Sequence, residues 1–377
     1  MMNLRDIAQL SGVSRSTVSR VINDDPRVSD EVRARVKAII EREGYHPHAA
    51  ARALATRRSG VFGLVIPQAL GSLFGDPWFP RFTQGCLDAA REIGVTLMLL
   101  MEPADDPVAV GKLIDRLVVT RHIDGLVLAA SMRDDMMISA LAELGFPYML
   151  VGRPRDEGRN FVDVRNREAS ADATRHLLGH GRTRPAMIAG PDYMISASDR
   201  RAGFEDAVCE AGFDLADVPI RQVDFSQREA YNEALALLGR PDRPDAIFAA
   251  SDAMAFGVLQ AARKLGIRVP EDLGLMGFDG FEPDRIWYWE LSTVRQPAHG
   301  IGYTAVTRLN DIVNHRTQGP EHVWLETELV VRHSCGCDMP VPPESLLHLP
   351  EKGGAVRPGL PGAIFVAESE ELNIDRP

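Results

Sequence analysis

Two arginines, Arg15 and Arg20, stand in the short stretch SRSTVSR, which also carries Ser16 and Ser19. A guanidinium can grip the O6/N7 edge of guanine through two parallel hydrogen bonds, worth about 1–3 kcal/mol of discrimination, or it can simply hold a phosphate. Both readings are open for each arginine. A second group follows the first apolar run, VFGLVIP, where Phe74, Asp76, Trp78 and Phe79 put aromatic faces beside an acid. Such a set suits the apolar face and polar rim of a sugar, or packing between subdomains. Cys335-Gly-Cys337 could ligate metal, but no second Cys or His pair is read at finger-like spacing, so neither metal nor cofactor is expected. The chain has no G-x-G-x-x-G, no G-x-x-x-x-G-K-[ST] and no G-x-S-x-G, and catalysis is therefore not expected.

Short helices must position the arginines. Leu4, Ile7, Ala8 and Leu10 share a helical face, and Ser11-Gly12 supplies a tight turn. Ser14 then caps a second helix with Val18, Val21 and Ile22 as its buried stripe, leaving Arg15, Ser16, Ser19 and Arg20 outward. A third helix starts with Ser29 as cap and Asp30 and Glu31 in its first turn, buries Val32, Val36 and Ile39, and stops at Gly44. This is helix-turn-helix order, in which the second helix offers its N-terminal side chains to a major groove. Charge agrees: residues 1–60 carry 11 Lys/Arg against 7 Asp/Glu, within a chain whose net charge is −11. A basic module on an acidic body points to a polyanion for the module alone.

At 377 residues the chain is long enough for two or three domains. With 45% hydrophobic and 25% charged residues it matches soluble globular proteins, which excludes wholesale disorder and a disulfide scaffold. No apolar run reaches the roughly 18 residues of a membrane span, and MMNLRDIAQL is no secretory signal, so a cytoplasmic protein without a membrane partner is expected. After Gly60, apolar runs alternate with helices in two series, which implies parallel strands buried on both faces. Helices are expected near 79–93, 107–120, 134–144, 167–179, 196–211, 226–238 and 252–264, with a crossover near 155–162. Ligands of such sheets bind beyond the carboxyl ends of the strands, here between two doubly wound halves.

LRDIAQLSGVSRSTVSRVINDDPRVSDEVRARV, followed by GYHPHAAARALATRRSG, resembles the DNA-binding headpiece of the lac repressor/galactose repressor family. IFAASDAMAFGVLQAARKLGIRVPEDLGLMGFDG, SASDRRAGF and LSTVRQP resemble its effector domain, so the resemblance spans roughly residues 3–337. It implies a helix-turn-helix headpiece (1–46), a hinge helix or linker (47–59), and a periplasmic-binding-protein-like type I effector and dimerisation domain (60–337). That domain is divided into an N-subdomain (60–162 plus 297–325) and a C-subdomain (163–296 plus 326–337). By the family's pattern Arg15, Ser16 and Arg20 read bases, while Thr17, Ser19 and Asn23 contact phosphates or support the helix.

The hinge, Pro47 to Ala55, is alanine-rich but shorter than the 12–15 residues an isolated helix needs, so it should order only against a partner. In the family it folds on the operator, where Leu54 would wedge into the minor groove; a plain linker is the alternative. The resemblance further implies that Arg200 holds a hydroxyl or carboxylate of the effector, Asp279 accepts hydroxyl hydrogen bonds and Phe225 stacks on the ring, with Gln296, Arg153 and Asp252 as weaker carry-overs. Arg165-Asn166 departs from the family's Asp-Asn, which puts a differently shaped or anionic ligand in view. Residues 338–377 share nothing with the family and carry no heptads, so a disordered tail and a homodimer are expected. The expected partners are double-stranded operator DNA and a sugar or sugar derivative. The alternatives are a purine or nucleoside corepressor, or a sugar-binding protein without DNA function.

Overall fold

The computed structural model describes residues 2–22, 25–45, 58–66, 77–100, 107–129, 136–155, 158–280 and 291–337. Three helices form the first module: α1 (Leu4–Ser11), α2 (Arg15–Ile22) and α3 (Asp30–Arg42). Asn3 starts α1 by accepting from the Arg5 and Asp6 amides, while the Asp6 carboxylate accepts from the Asn3 amide, a reciprocal cap. Gly12, at φ +66°, closes the helix and turns the chain into α2, a conformation that side chains disfavour. The Ser14 hydroxyl accepts from the Thr17 amide at 3.1 Å, as a cap should. Ser29 sits at the start of α3, but its side chain makes no capping hydrogen bond. Ile7, Val18, Val21 and Val36 are fully buried in a core closed by Ala8, Val28, Ile39 and Tyr45.

Two six-stranded sheets follow. The chain lays down β1 (Val61–Val65), α4 (Trp78–Ile93), β2 (Thr96–Leu100), α5 (Pro107–Ile114), β3 (Gly125–Ala129), α6 (Met136–Glu143), β4 (Tyr148–Val151) and β5 (Phe161–Val164). It crosses into α7 (Asn166–Leu178), β6 (Pro185–Ala189), α8 (Ile195–Glu210), β7 (Ile220–Gln222), α9 (Gln227–Leu238), β8 (Ala246–Ala249), α10 (Asp252–Lys264), β9 (Gly274–Asp279) and β10 (Ser292–Arg295). It returns through α11 (Ala298–Val313) and β11 (His322–Leu325), and ends in β12 (Glu328–Val330).

Strand order is β11-β5-β4-β3-β1-β2 in the first sheet and β12-β10-β9-β8-β6-β7 in the second. All pairings are parallel except β10 with β12. The continuous apolar runs explain this, since β3, β4, β6 and β8 are buried at every residue. The Arg155–Val162 stretch, read as a bare crossover, runs into β5, which aligns Asp163 and Val164 with Trp324 and Leu325 of the first sheet. The chain passes between sheets three times, at 164–166, 295–298 and 325–328.

Candidate functional site

On α2 the apolar stripe turns inward and the chemistry outward. Arg15, Ser16 and Arg20 are exposed; Thr17 and Ser19 are half-buried. The Ser14 hydroxyl also bonds the hydroxyls of Ser16 (2.7 Å) and Thr17 (2.8 Å), fixing the helix start from which Arg15 projects. One short face thus carries two guanidiniums and three hydroxyls, the donor set for phosphates and guanine edges. Asn23 and Leu54 lie outside the described residues, as do Phe74 and Asp76.

The effector candidates collect where strands of both sheets end. Arg153 follows β4, Asn166 follows β5, Phe225 follows β7, Asp279 closes β9 and Gln296 follows β10. Arg200, on α8, is buried at 6% exposure, and its guanidinium donates to Asn166 Oδ1 (2.9 Å), the Ala250 carbonyl (2.7 Å) and Asp279 Oδ1 (3.3 Å). It also lies 3.8 Å above the Phe278 ring centre. Gln296 donates to the same Asp279 oxygen at 2.7 Å. Arg200, Asp279 and Gln296 therefore form one connected polar cluster.

Phe225 and Asp279 have φ of +66° and +116°, values that bulky or charged residues keep only where the surroundings compel them, and such strain gathers at binding sites. The Phe225 ring is accommodated by Gly190, where a Cβ would stand 2.3 Å from its tip.

Arg153 reaches across to α8, donating to both oxygens of Asp199 at 2.5 and 2.7 Å. This ion pair joins a residue following the first sheet to a helix of the second. Beside it lies a pocket of about 270 Å³ lined by Arg153, Arg155, Ile195, Ser198 and Asp199. Asp163, buried in β5, accepts from the amides of Arg153 and Val164 and from the Asn166 side chain. Loss of hydration nonetheless pushes its carboxyl up to about 6.

Phe79 and Asp252 are buried deeper than a cleft contact would be. Phe79 is not a cleft wall: it falls in the first turn of α4, 6% exposed, edge-on to Trp78 in the first sheet's core. Asp252 is 1% exposed, and its oxygens accept from the Thr293 hydroxyl (2.6 Å) and the Gly280 amide (3.0 Å). It braces the turn that presents Asp279. Arg165 stacks on Trp324 at 5.1 Å, which gives its charge a resting place on β11. The sequence reading passed over Asp163 and Asp199, although Asp199 stands beside Arg200 in SASDRRAGF. It also passed over His176 and His180, which the fold brings against Cys335 and Cys337.

Residues 3–48 match the model of the bacterial regulatory proteins, lacI family, and residues 174–335 that of the periplasmic binding protein-like domain. The chain is 34% identical over 337 residues to the HTH-type transcriptional regulator CelR of Thermobifida fusca, covering 88% of this chain and 97% of the relative. A solved complex of CelR with cellobiose superposes with a TM-score of 0.67 at 33% identity, covering 89% of this chain and all of that one. The lac repressor dimer bound to operator and the anti-inducer ONPF shares the fold, with a TM-score of 0.74 at 24% identity, over 89% of this chain and 99% of that one.

Proposed function

Because this chain belongs to the lacI family of bacterial regulatory proteins, we propose that it is a repressor that binds a pseudo-palindromic operator as a homodimer and responds to a sugar or sugar derivative. Residues 1–46 are the DNA-binding part, 47–59 the hinge, and 60–337 the effector and dimerisation part. Arg15, Ser16 and Arg20 take the base edges; Thr17, Ser19 and Asn23 take phosphates; Leu54 is the minor-groove wedge. Exposed Leu87, Met98 and Leu99, on α4 and the edge strand β2, support a contact with a second copy.

The buried Arg200–Asp279–Gln296 cluster carries the effector reading. A carboxylate that already accepts from an arginine and an amide is pre-aligned for a ligand hydroxyl, at little cost in ordering. Phe225 supplies an apolar face and Arg153 a movable donor at the rim. The similarity to a regulator solved with cellobiose favours a sugar. A ligand that takes either partner of the Arg153–Asp199 pair alters the tie between the two halves. Such a change biases the hinge, and operator and effector become coupled sites, typically by 1–3 kcal/mol.

Cellobiose, monosaccharides, sugar phosphates and nucleobases titrated in a thermal-shift assay test the class of ligand. Stabilisation by a sugar, abolished in Asp279→Ala, supports the reading; stabilisation by nucleobases alone replaces it with a purine corepressor.

A further inference from the structure

Two imidazole nitrogens and two thiol sulfurs converge at the far end of the second subdomain, away from the cleft. His176 lies in the last turn of α7 and His180 just beyond it, so the i, i+4 spacing sets both rings on one side. The chain's final described segment supplies Cys335 and Cys337. The four side-chain ligand atoms lie within 4.8 Å of one another. His176 Nε2 is 3.4 Å from Cys335 Sγ and 3.5 Å from both Cys337 Sγ and His180 Nε2, and His180 Nε2 is 3.4 Å from Cys337 Sγ. A tetrahedral zinc ion, with bonds of 2.0–2.1 Å to nitrogen and 2.3 Å to sulfur, requires edges of about 3.3 Å (N–N), 3.6 Å (N–S) and 3.8 Å (S–S). The N–N edge and these three N–S edges already approach those values, and the two remaining edges, both from Cys335 Sγ, are no longer than 4.8 Å.

From this convergence of His176, His180, Cys335 and Cys337 we propose a structural zinc site that fastens the end of the effector domain to α7. Four protein ligands leave no open position, so the site holds metal rather than performing hydrolysis. Two thiolates and a divalent ion form a neutral unit, which Cys335, fully buried, and the half-buried His176 and Cys337 can enclose without a net charge.

The scaffold is set independently of the ligands. Ser334 accepts from the Ser292 amide and donates to the Leu275 carbonyl, both at 2.8 Å, which pins the segment under β9 and β10. Gly336, at φ +111°, folds the Cys-Gly-Cys so that both sulfurs face one point. A side chain there would meet the His180 ring at 3.5 Å. Asn166, at the cleft end of α7, is 14 residues before His180, or roughly 20 Å along a helix, so the site is separate from the effector cluster.

Full-length protein purified under reducing conditions is assayed for zinc by mass spectrometry, then stripped and titrated with Co²⁺ alone. The expected result is one zinc per chain and the visible ligand-field bands of a tetrahedral S2N2 site, saturating at one equivalent. Cys337→Ser and His180→Ala, at the less buried ligands, should each lower zinc content at least tenfold; Cys209→Ser, an exposed cysteine elsewhere, should leave it unchanged. Absence of both zinc and cobalt bands in protein whose thiols are fully reduced overturns the site. Undiminished zinc in both ligand variants does so too.

Discussion

Asp279→Asn preserves the shape of the effector cluster and removes its negative charge. The side chains of Arg200 and Asp279 are 7% and 6% exposed, so the guanidinium cannot recover its lost partner from water. It would keep the Asn166 oxygen, the Ala250 carbonyl and the Phe278 ring face. Removing one partner of a buried ion pair costs about 3–5 kcal/mol. The Arg200–Asp279 contact, at 3.3 Å, is longer than a strong charge-assisted bond, and two neutral acceptors remain, which places the loss near the low end, about 3 kcal/mol. At about 2.1 cal/mol/K of unfolding entropy per residue, a body of roughly 280 residues shifts its Tm by roughly 1.7 °C per kcal/mol, so Asp279→Asn should lower it by roughly 5 °C. Scanning calorimetry of Asp279→Asn, Arg200→Met and the double variant supplies the cycle. The double variant should be no worse than either single one, with a coupling above about 1 kcal/mol. A loss under about 1 kcal/mol for Asp279→Asn, or additive single effects, would show that Arg200 and Asp279 are not a desolvated pair.

The cleft yields three more tests. Asp163 has its folded pKa raised from 3.8 to about 6, so the stability it contributes is full below about pH 4 and is lost as pH rises through about 6. Urea unfolding should therefore show the parent losing roughly 2–4 kcal/mol relative to Asp163→Asn between pH 4 and 7; identical pH slopes would contradict this. Gly190→Ala should displace the Phe225 ring, costing about 1–3 kcal/mol in unfolding and weakening any sugar-induced thermal shift, whereas parental stability would deny the close approach. Asp199→Asn should loosen the tie to Arg153; with Arg153 40% exposed, solvent limits the effect to about 0.5–1 kcal/mol, a factor of roughly 2–5 in the open–closed balance. Small-angle scattering of the ligand-free protein should broaden, and unchanged curves would sink that role.

Elements with strong local signals were legible in the sequence. The Val18–Val21 stripe, the Ser14 cap and the continuous apolar strands each encode their structure within a few residues. The strands that sequence reading passed over, β5, β10, β11 and β12, are only three or four residues long, and distant pairing defines them: His322 aligns with Phe161. Phe79, expected beside a sugar, is instead turned into the core because the helix begins one residue earlier, at Trp78. Asp252 occupies the first position of α10, and only the tertiary approach of Thr293 and Gly280 decides which way its oxygens face. The His–Cys cluster was hidden for the same reason, since His176 and Cys335 are 159 residues apart.

The proposed function rests on α2 reading DNA. Genomic fragments captured by the full-length protein, sequenced and compared with those captured by Arg15→Ala and Arg20→Ala, test it directly. The parent should enrich a two-fold symmetric motif, and each variant should relax one position of each half-site, at about 1–3 kcal/mol per lost contact. Capture without any symmetric motif, or motifs unchanged in both variants, would contradict the account.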